Sequence, residues 1–197
     1  MAMISLEFCL DIHTNMMDAS SVVCFREHSR QCIRNTWVSV RYEDQTPWKW
    51  LADEHIDAAF RLIREHLWLF PKTYRKKVAL VDTLTDYAKK DADHFQRGWA
   101  EVDEVYYPLN IGSNHWVLVQ IDLPAHMLTV YDSDQALYDD ARVEQAMRPM
   151  MKMLPYFLLN VEEVTDRADL DLTTTMKPRD FDVRRLPPNV VPQTAKS

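Results

Sequence analysis

VYYPLNIGSNHWVLVQIDLPAHMLTVYD, residues 105–132, is the stretch whose reading decides the fold. It divides into three runs rich in β-branched and aromatic residues, Val105–Ile111, His115–Asp122 and Met127–Asp132. Between them stand Gly112-Ser113-Asn114 and Leu123-Pro124-Ala125-His126, residues that favour turns. Strand-length runs joined by such turns predict a three-stranded antiparallel meander. Within the middle run, Trp116-Val117-Leu118-Val119-Gln120-Ile121 is almost wholly apolar, which suits a central strand covered on both faces better than an edge.

Working upstream, Val78–Val81 is a short apolar run suited to a buried strand, and the polar segment Asp82–Arg97 after it has helical spacing. Ile56, Ala59, Phe60, Ile63 and Leu67 also recur at helical spacing, with Asp53 able to act as N-cap and Pro71 closing the segment, so a helix is expected there. Residues 1–47 have no sustained period and read as a leader with one short strand near Trp37–Val40, leaving 48–197 as the domain. Downstream, the segment Asp134–Met153 resumes helical spacing, with Pro149 and Pro155 limiting its regularity. Residues 165–180 are acidic and Thr-rich and read as a loop, and Phe181–Leu186 as one more strand. The expected fold class is α+β, a mixed central sheet flanked by helices.

Composition narrows the function. The chain has 197 residues and a net charge of −7, with 47% apolar residues, which fits one globular domain and argues against nucleic-acid binding. The greasiest segment, Met147–Leu159, is interrupted by Lys152 and two flanking or internal prolines and Arg148, short of the roughly 18 apolar residues of a membrane span. No secretory signal is evident, because Glu7 and Asp11 interrupt the first apolar run. Cys9, Cys24 and Cys32 are odd in number and lack CxxC spacing, pointing to reduced thiols and an intracellular protein of nucleus or cytoplasm. No cofactor or metal is expected. There is no Gly-rich phosphate loop, and His55 and His66 lie about 16 Å apart along one helix.

Chemistry is suggested at the ends of the meander. His115 opens one strand and Asp132 closes the next, so an antiparallel pairing brings them close. A carboxylate beside an imidazole fixes its tautomer and stabilises its charged form, the base and orienter of a nucleophilic triad. The same spacing also fits two polar residues at a sheet margin.

The words around these residues resemble a known family. Pro108-Leu109-Asn110-Ile111, His115 through Asp122 and Tyr131-Asp132-Ser133 are similar to the catalytic hairpin of the ubiquitin-like-protein-specific cysteine proteases, the Ulp/SENP type, which includes adenovirus proteinase relatives. Trp50-Leu51-Ala52-Asp53 resembles that family's Trp-Leu-Asn-Asp signature, with Ala52 departing from Asn. Val191-Pro192-Gln193 sits where the family places the glutamine of its oxyanion hole. Trp50–Ala59 and Val143–Leu158 are especially like plant, transposon-associated members.

The resemblance implies a papain-like fold with His115 as general base, Asp132 as orienter and Gln193 as oxyanion donor. It implies that Trp50 and Trp116 roof a channel for the diglycine tail of a SUMO-like modifier, the expected partner, and that Asp53 contacts that tail. Each of these three residues also has a structural reading, the tryptophans as core and Asp53 as helix cap. In the family an Asp-Cys-Gly follows the glutamine and carries the nucleophile, whereas Gln193 is followed here by Thr194-Ala195-Lys196-Ser197. The expectation is therefore a copy truncated before its cysteine-bearing helix, inactive and poorly stable alone. The alternative is a non-catalytic module that binds the modifier.

Overall fold

Strand alternation along the meander builds two cores, one on each face of a single sheet. The computed structural model describes residues 53–73, 76–81, 95–172 and 177–193. The expected leader at 1–47, its strand near Trp37–Val40, Trp50 and the three cysteines lie outside the described residues. So does most of the helical segment expected over Asp82–Arg97. Its described end, 95–97, is not helical, and Phe95 adopts a φ of 56°.

Five strands stand side by side in chain order: β1 (Val78–Leu80), β2 (Glu104–Ile111), β3 (His115–Asp122), β4 (Met127–Tyr131) and β5 (Asp182–Arg185). β2, β3 and β4 are the antiparallel meander, while β1 and β5 add in parallel at its two margins. The sheet is thus mixed, and β3 is its central strand. Pro108 is tolerated inside β2 because it lies beyond the pairing with β1, which ends at Tyr106.

Val117, Val119 and Ile121 of β3 join Val105, Leu128 and Val130 in one core. That face is covered by α2 (Asp140–Leu159), whose buried stripe is Val143, Met147, Leu154 and Leu158. On the opposite face Leu118 joins Val78, Leu80 and Tyr106 against α1 (Asp53–Leu69), through Ile56, Phe60, Ile63 and Leu67. Both faces of β3 are therefore covered, as its unbroken apolar run implies. Each fully buried Leu, Ile or Phe contributes about 1.5–3 kcal/mol, so these two contacts dominate the packing.

The flanking helix differs from the expected 134–153. Residues 134–139 form turns, and the helix starts at Asp140 because Asp139 caps it, accepting from the Arg142 amide at 2.8 Å. It continues to Leu159 through both Pro149 and Pro155. An interior proline costs about 3 kcal/mol, and burial of Leu154, Pro155 and Leu158 offsets it. A short α3 (Glu162–Thr165) follows before the expected loop.

Candidate active site

The hairpin between β2 and β3 fixes the first site residue. Ile111 pairs with His115, leaving Gly112, Ser113 and Asn114 to turn the chain, with Gly112 at φ 64° and Ser113 at φ 61°. Gly112 has a second reason to be glycine. A Cβ there would lie 2.3 Å from the Tyr138 hydroxyl, which donates to Asn114 Oδ1 at 2.6 Å. The Tyr138 ring stands beside His115, with centroids 6.0 Å apart.

His115 and Asp132 are both fully buried, and His115 Nε2 lies 2.9 Å from Asp132 Oδ1. They are diagonal rather than directly opposite. The register pairs Leu118 with Tyr131, so the next position opposite Asp132 is Val117, and His115 sits one pleat further on the same face. Asp132 Oδ1 also accepts the Asp134 amide at 2.9 Å, and Oδ2 accepts from Arg185 Nη2 at 2.7 Å. Burial alone would push the Asp132 carboxyl up, but the hydrogen bonds from His115, Asp134 and Arg185 outweigh it and hold its pKa below the usual value. An ionised carboxylate only accepts, so Nε2 carries the imidazole proton and the Nδ1 lone pair is left for proton transfer. Nδ1 is buried and has no hydrogen-bond partner among the described residues.

Gln193 reaches the same loop from the far end of the described chain. Its amide nitrogen donates to the Asp132 carbonyl at 2.9 Å and to the Val191 carbonyl at 3.0 Å, and its oxygen accepts the Gln135 amide at 3.2 Å. Trp116 is half-buried on the α1 face, packed on the core that holds Val191 and Leu118, with Tyr131 and Leu186 as neighbours in that layer. Asp53 is the first residue of α1, and its side chain lies outside the described ones. His115, Asp132 and Gln193 thus converge at one end of the sheet, while Trp116 faces the other layer.

The sequence reading missed Arg185, Tyr138 and Asp140. Arg185 sits on β5, on the same face as Val183, and its partners, Asp132 just past β4, Tyr138 before α2 and Asp140 at its start, are some 50 residues away in the chain. No local pattern marks it. Tyr138 is signalled only indirectly, by the glycine opposite it.

Residues 49–193 match the sequence model of the Ulp1 protease family, C-terminal catalytic domain. The chain belongs to that family. The mixed sheet with helices on both faces is its α+β, papain-like arrangement. Among solved structures, this Ulp1-family chain is similar to the SUMO protease Ulp1 with its catalytic cysteine oxidised to a sulfonic acid, at 16% identity and a TM-score of 0.42, covering 77% of this chain and 61% of that one. It is also similar to the C-terminal Ulp1 protease domain in complex with Smt3, the yeast ortholog of SUMO, at 16% identity and a TM-score of 0.38, covering 77% and 60%. The chain therefore spans about three fifths of the length of these structures. No curated protein sequence matches it.

Proposed function

We propose that this Ulp1-family chain is built for thiol peptidase chemistry on the bond after the diglycine of a SUMO-like modifier. His115 is the general base, Asp132 its orienter and Gln193 an oxyanion donor. The observation that supports this best is the His115 ring, with Nε2 committed to Asp132 and Nδ1 buried without a partner among the described residues. In the reaction Nδ1 takes the thiol proton, the thiolate attacks the carbonyl, and the oxyanion is held by hydrogen-bond donors. Gln193 supplies one such donor when its amide releases the Val191 carbonyl. Collapse expels the amine, which takes the proton from His115, and water then hydrolyses the thioester with the same base. Trp50 and Trp116 flank the diglycine tail, and Asp53 contacts it.

The three cysteines of the sequence, Cys9, Cys24 and Cys32, all precede α1, whereas the family order places the nucleophile after the glutamine. On that ground none of Cys9, Cys24 and Cys32 is the nucleophile, and cleavage requires a cysteine placed after Gln193. The test is a SUMO-like protein carrying an electrophile in place of its C-terminal carboxylate, offered to the 197-residue chain and to a chain extended after Gln193 by an Asp-Cys-Gly segment. Labelling is expected only in the extended chain, at the added cysteine, and is abolished by His115→Ala. Labelling of Cys9, Cys24 or Cys32, or labelling of the extended chain that survives His115→Ala, overturns the reading.

A further inference from the structure

The guanidinium of Arg185 occupies a position that the triad logic alone does not require. β5 runs parallel to β4 and pairs Arg185 with Val130, two residues before Asp132. Its side chain, 9% exposed, lies against the back of the carboxylate. Nη2 donates to Asp132 Oδ2 at 2.7 Å and to the Tyr138 carbonyl at 3.0 Å, and Nη1 donates to Asp140 Oδ1 at 2.7 Å. Asp132 is thereby held from both sides, Oδ1 by His115 and the Asp134 amide, Oδ2 by Arg185. A carboxylate held at one oxygen only can rotate about χ2 and exchange the atom it offers to the imidazole.

We propose that Arg185 is a positioning residue for the His115–Asp132 pair, fixing the carboxylate so that Oδ1 stays on the Nε2 proton and Nδ1 stays aimed as the base. This rests on the reading of His115 as the general base. A merely structural role is the alternative, since the bond to Asp140 also ties the first turn of α2 to the margin of the sheet. The two roles separate on different atoms. Asp140 is exposed and belongs to the tie, whereas Asp132 is buried and belongs to the site.

The experiment is nuclear magnetic resonance of the full chain, following the hydrogen-bonded Nε2 proton of His115 and its rate of exchange with water, in wild type, Asp140→Asn, Arg185→Lys and Arg185→Met. Wild type and Asp140→Asn should show the same slowly exchanging proton, even where Asp140→Asn lowers the melting temperature. Losing a charge-assisted bond to Asp132 should speed exchange about tenfold or more in Arg185→Met. Arg185→Lys, which keeps the charge but not the fork, should fall between and partly rescue the signal. Wild-type exchange in a folded Arg185→Met overturns the proposal. Where that variant does not fold, wild-type exchange in Arg185→Lys, or exchange accelerated equally by Asp140→Asn, overturns it. The readout needs no turnover, so failure of the modifier probe and failure of this proposal are seen in separate measurements.

Discussion

Replacing Asp132 by Asn keeps the shape of the side chain and removes its charge, and the surroundings leave the amide no good orientation. Asp132 faces donors on both sides, His115 Nε2 and the Asp134 amide at Oδ1 and Arg185 at Oδ2. An amide offers one acceptor oxygen and one NH2 group, so in either orientation its NH2 group meets a donor. Breaking a buried ion pair by removing one partner costs about 3–5 kcal/mol. Arg185 keeps Asp140 and the Tyr138 carbonyl, but Asp140 is exposed and such pairs contribute about 0–1 kcal/mol, so the expected loss is about 3 kcal/mol. For a chain of this size that lowers the melting temperature by roughly 6–12 °C. The sign of the pH dependence follows from Asp132 itself, whose folded pKa lies below its ordinary 3.8. A carboxyl depressed in the folded state contributes fully above its unfolded pKa and loses that contribution as pH falls through the folded value. Urea unfolding of wild type and Asp132→Asn should therefore differ by about 3 kcal/mol near pH 5 and by progressively less toward pH 3. A difference below about 1 kcal/mol near pH 5, or one as large at pH 3, refutes the argument that a buried, ionised Asp132 holds this cluster.

Two further expectations follow from other parts of the sheet. Gly112→Ala should cost about 2–3 kcal/mol, from the positive φ and from displacing the Tyr138 hydroxyl off Asn114. In a Tyr138→Phe background the cost should fall toward the φ contribution of about 1–2 kcal/mol, since only the ring carbon Cζ, 3.2 Å from the added Cβ, remains close, and equal costs by urea unfolding in the two backgrounds would discard the close approach of the hydroxyl. His126 is buried in the turn after β3, packed at a tilt against Phe181, with its pKa lowered by burial and by Arg179 against the opposing pull of Asp171 and Asp182. Its folded pKa is below 6.5, so its neutral form stabilises the fold above that pH and is lost as pH falls through the folded value. Thermal melts should show wild-type stability declining below about pH 6.5 and His126→Asn, which tolerates the φ of 52°, declining less. A decline of the same steepness in both would remove His126 from the account.

What the sequence shows of this fold follows chain distance. The meander is local, its turns are three or four residues long, and β3 begins and ends where the alternation of runs and turns places it, at His115 and Asp122. Val78–Leu80 and Asp182–Arg185 are recognisable as short strands, but their parallel attachment to β2 and β4 is not, because a crossover separates each from its neighbour. The start of α2 was displaced because Asp134, Asp139 and Asp140 are all competent near a helix N-terminus. Asp132 takes the Asp134 amide, and Asp139 is the residue left to cap. The closeness of His115 and Asp132 is legible from strand ends plus the family words. Their diagonal relation, and Arg185 behind them, depend on register and on a strand 50 residues further on.

The cluster at this end of the sheet is better understood as a device for geometry than for stability. His115, Asp132 and Arg185 are removed from water, and a buried ion pair seldom contributes more than a well-packed apolar set of the same volume. The local packing does not need them, since Val117, Val130 and Val183 on the same face already join the core covered by α2. What the charged set provides is orientation, because each Asp132 oxygen has a fixed partner, and each partner comes from a different element. His115 comes from the β2–β3 hairpin, the Asp134 amide from the exit of β4, Arg185 from β5, and Gln193 closes on the Asp132 carbonyl from beyond β5. Losing Arg185 leaves Oδ2 without its partner, and losing Asp132 leaves the Nε2 proton of His115 without an acceptor, so the orientation depends on the set together. That interdependence is what the proposed role of His115 as general base requires, an imidazole whose Nε2 is fixed by a carboxylate that cannot turn away.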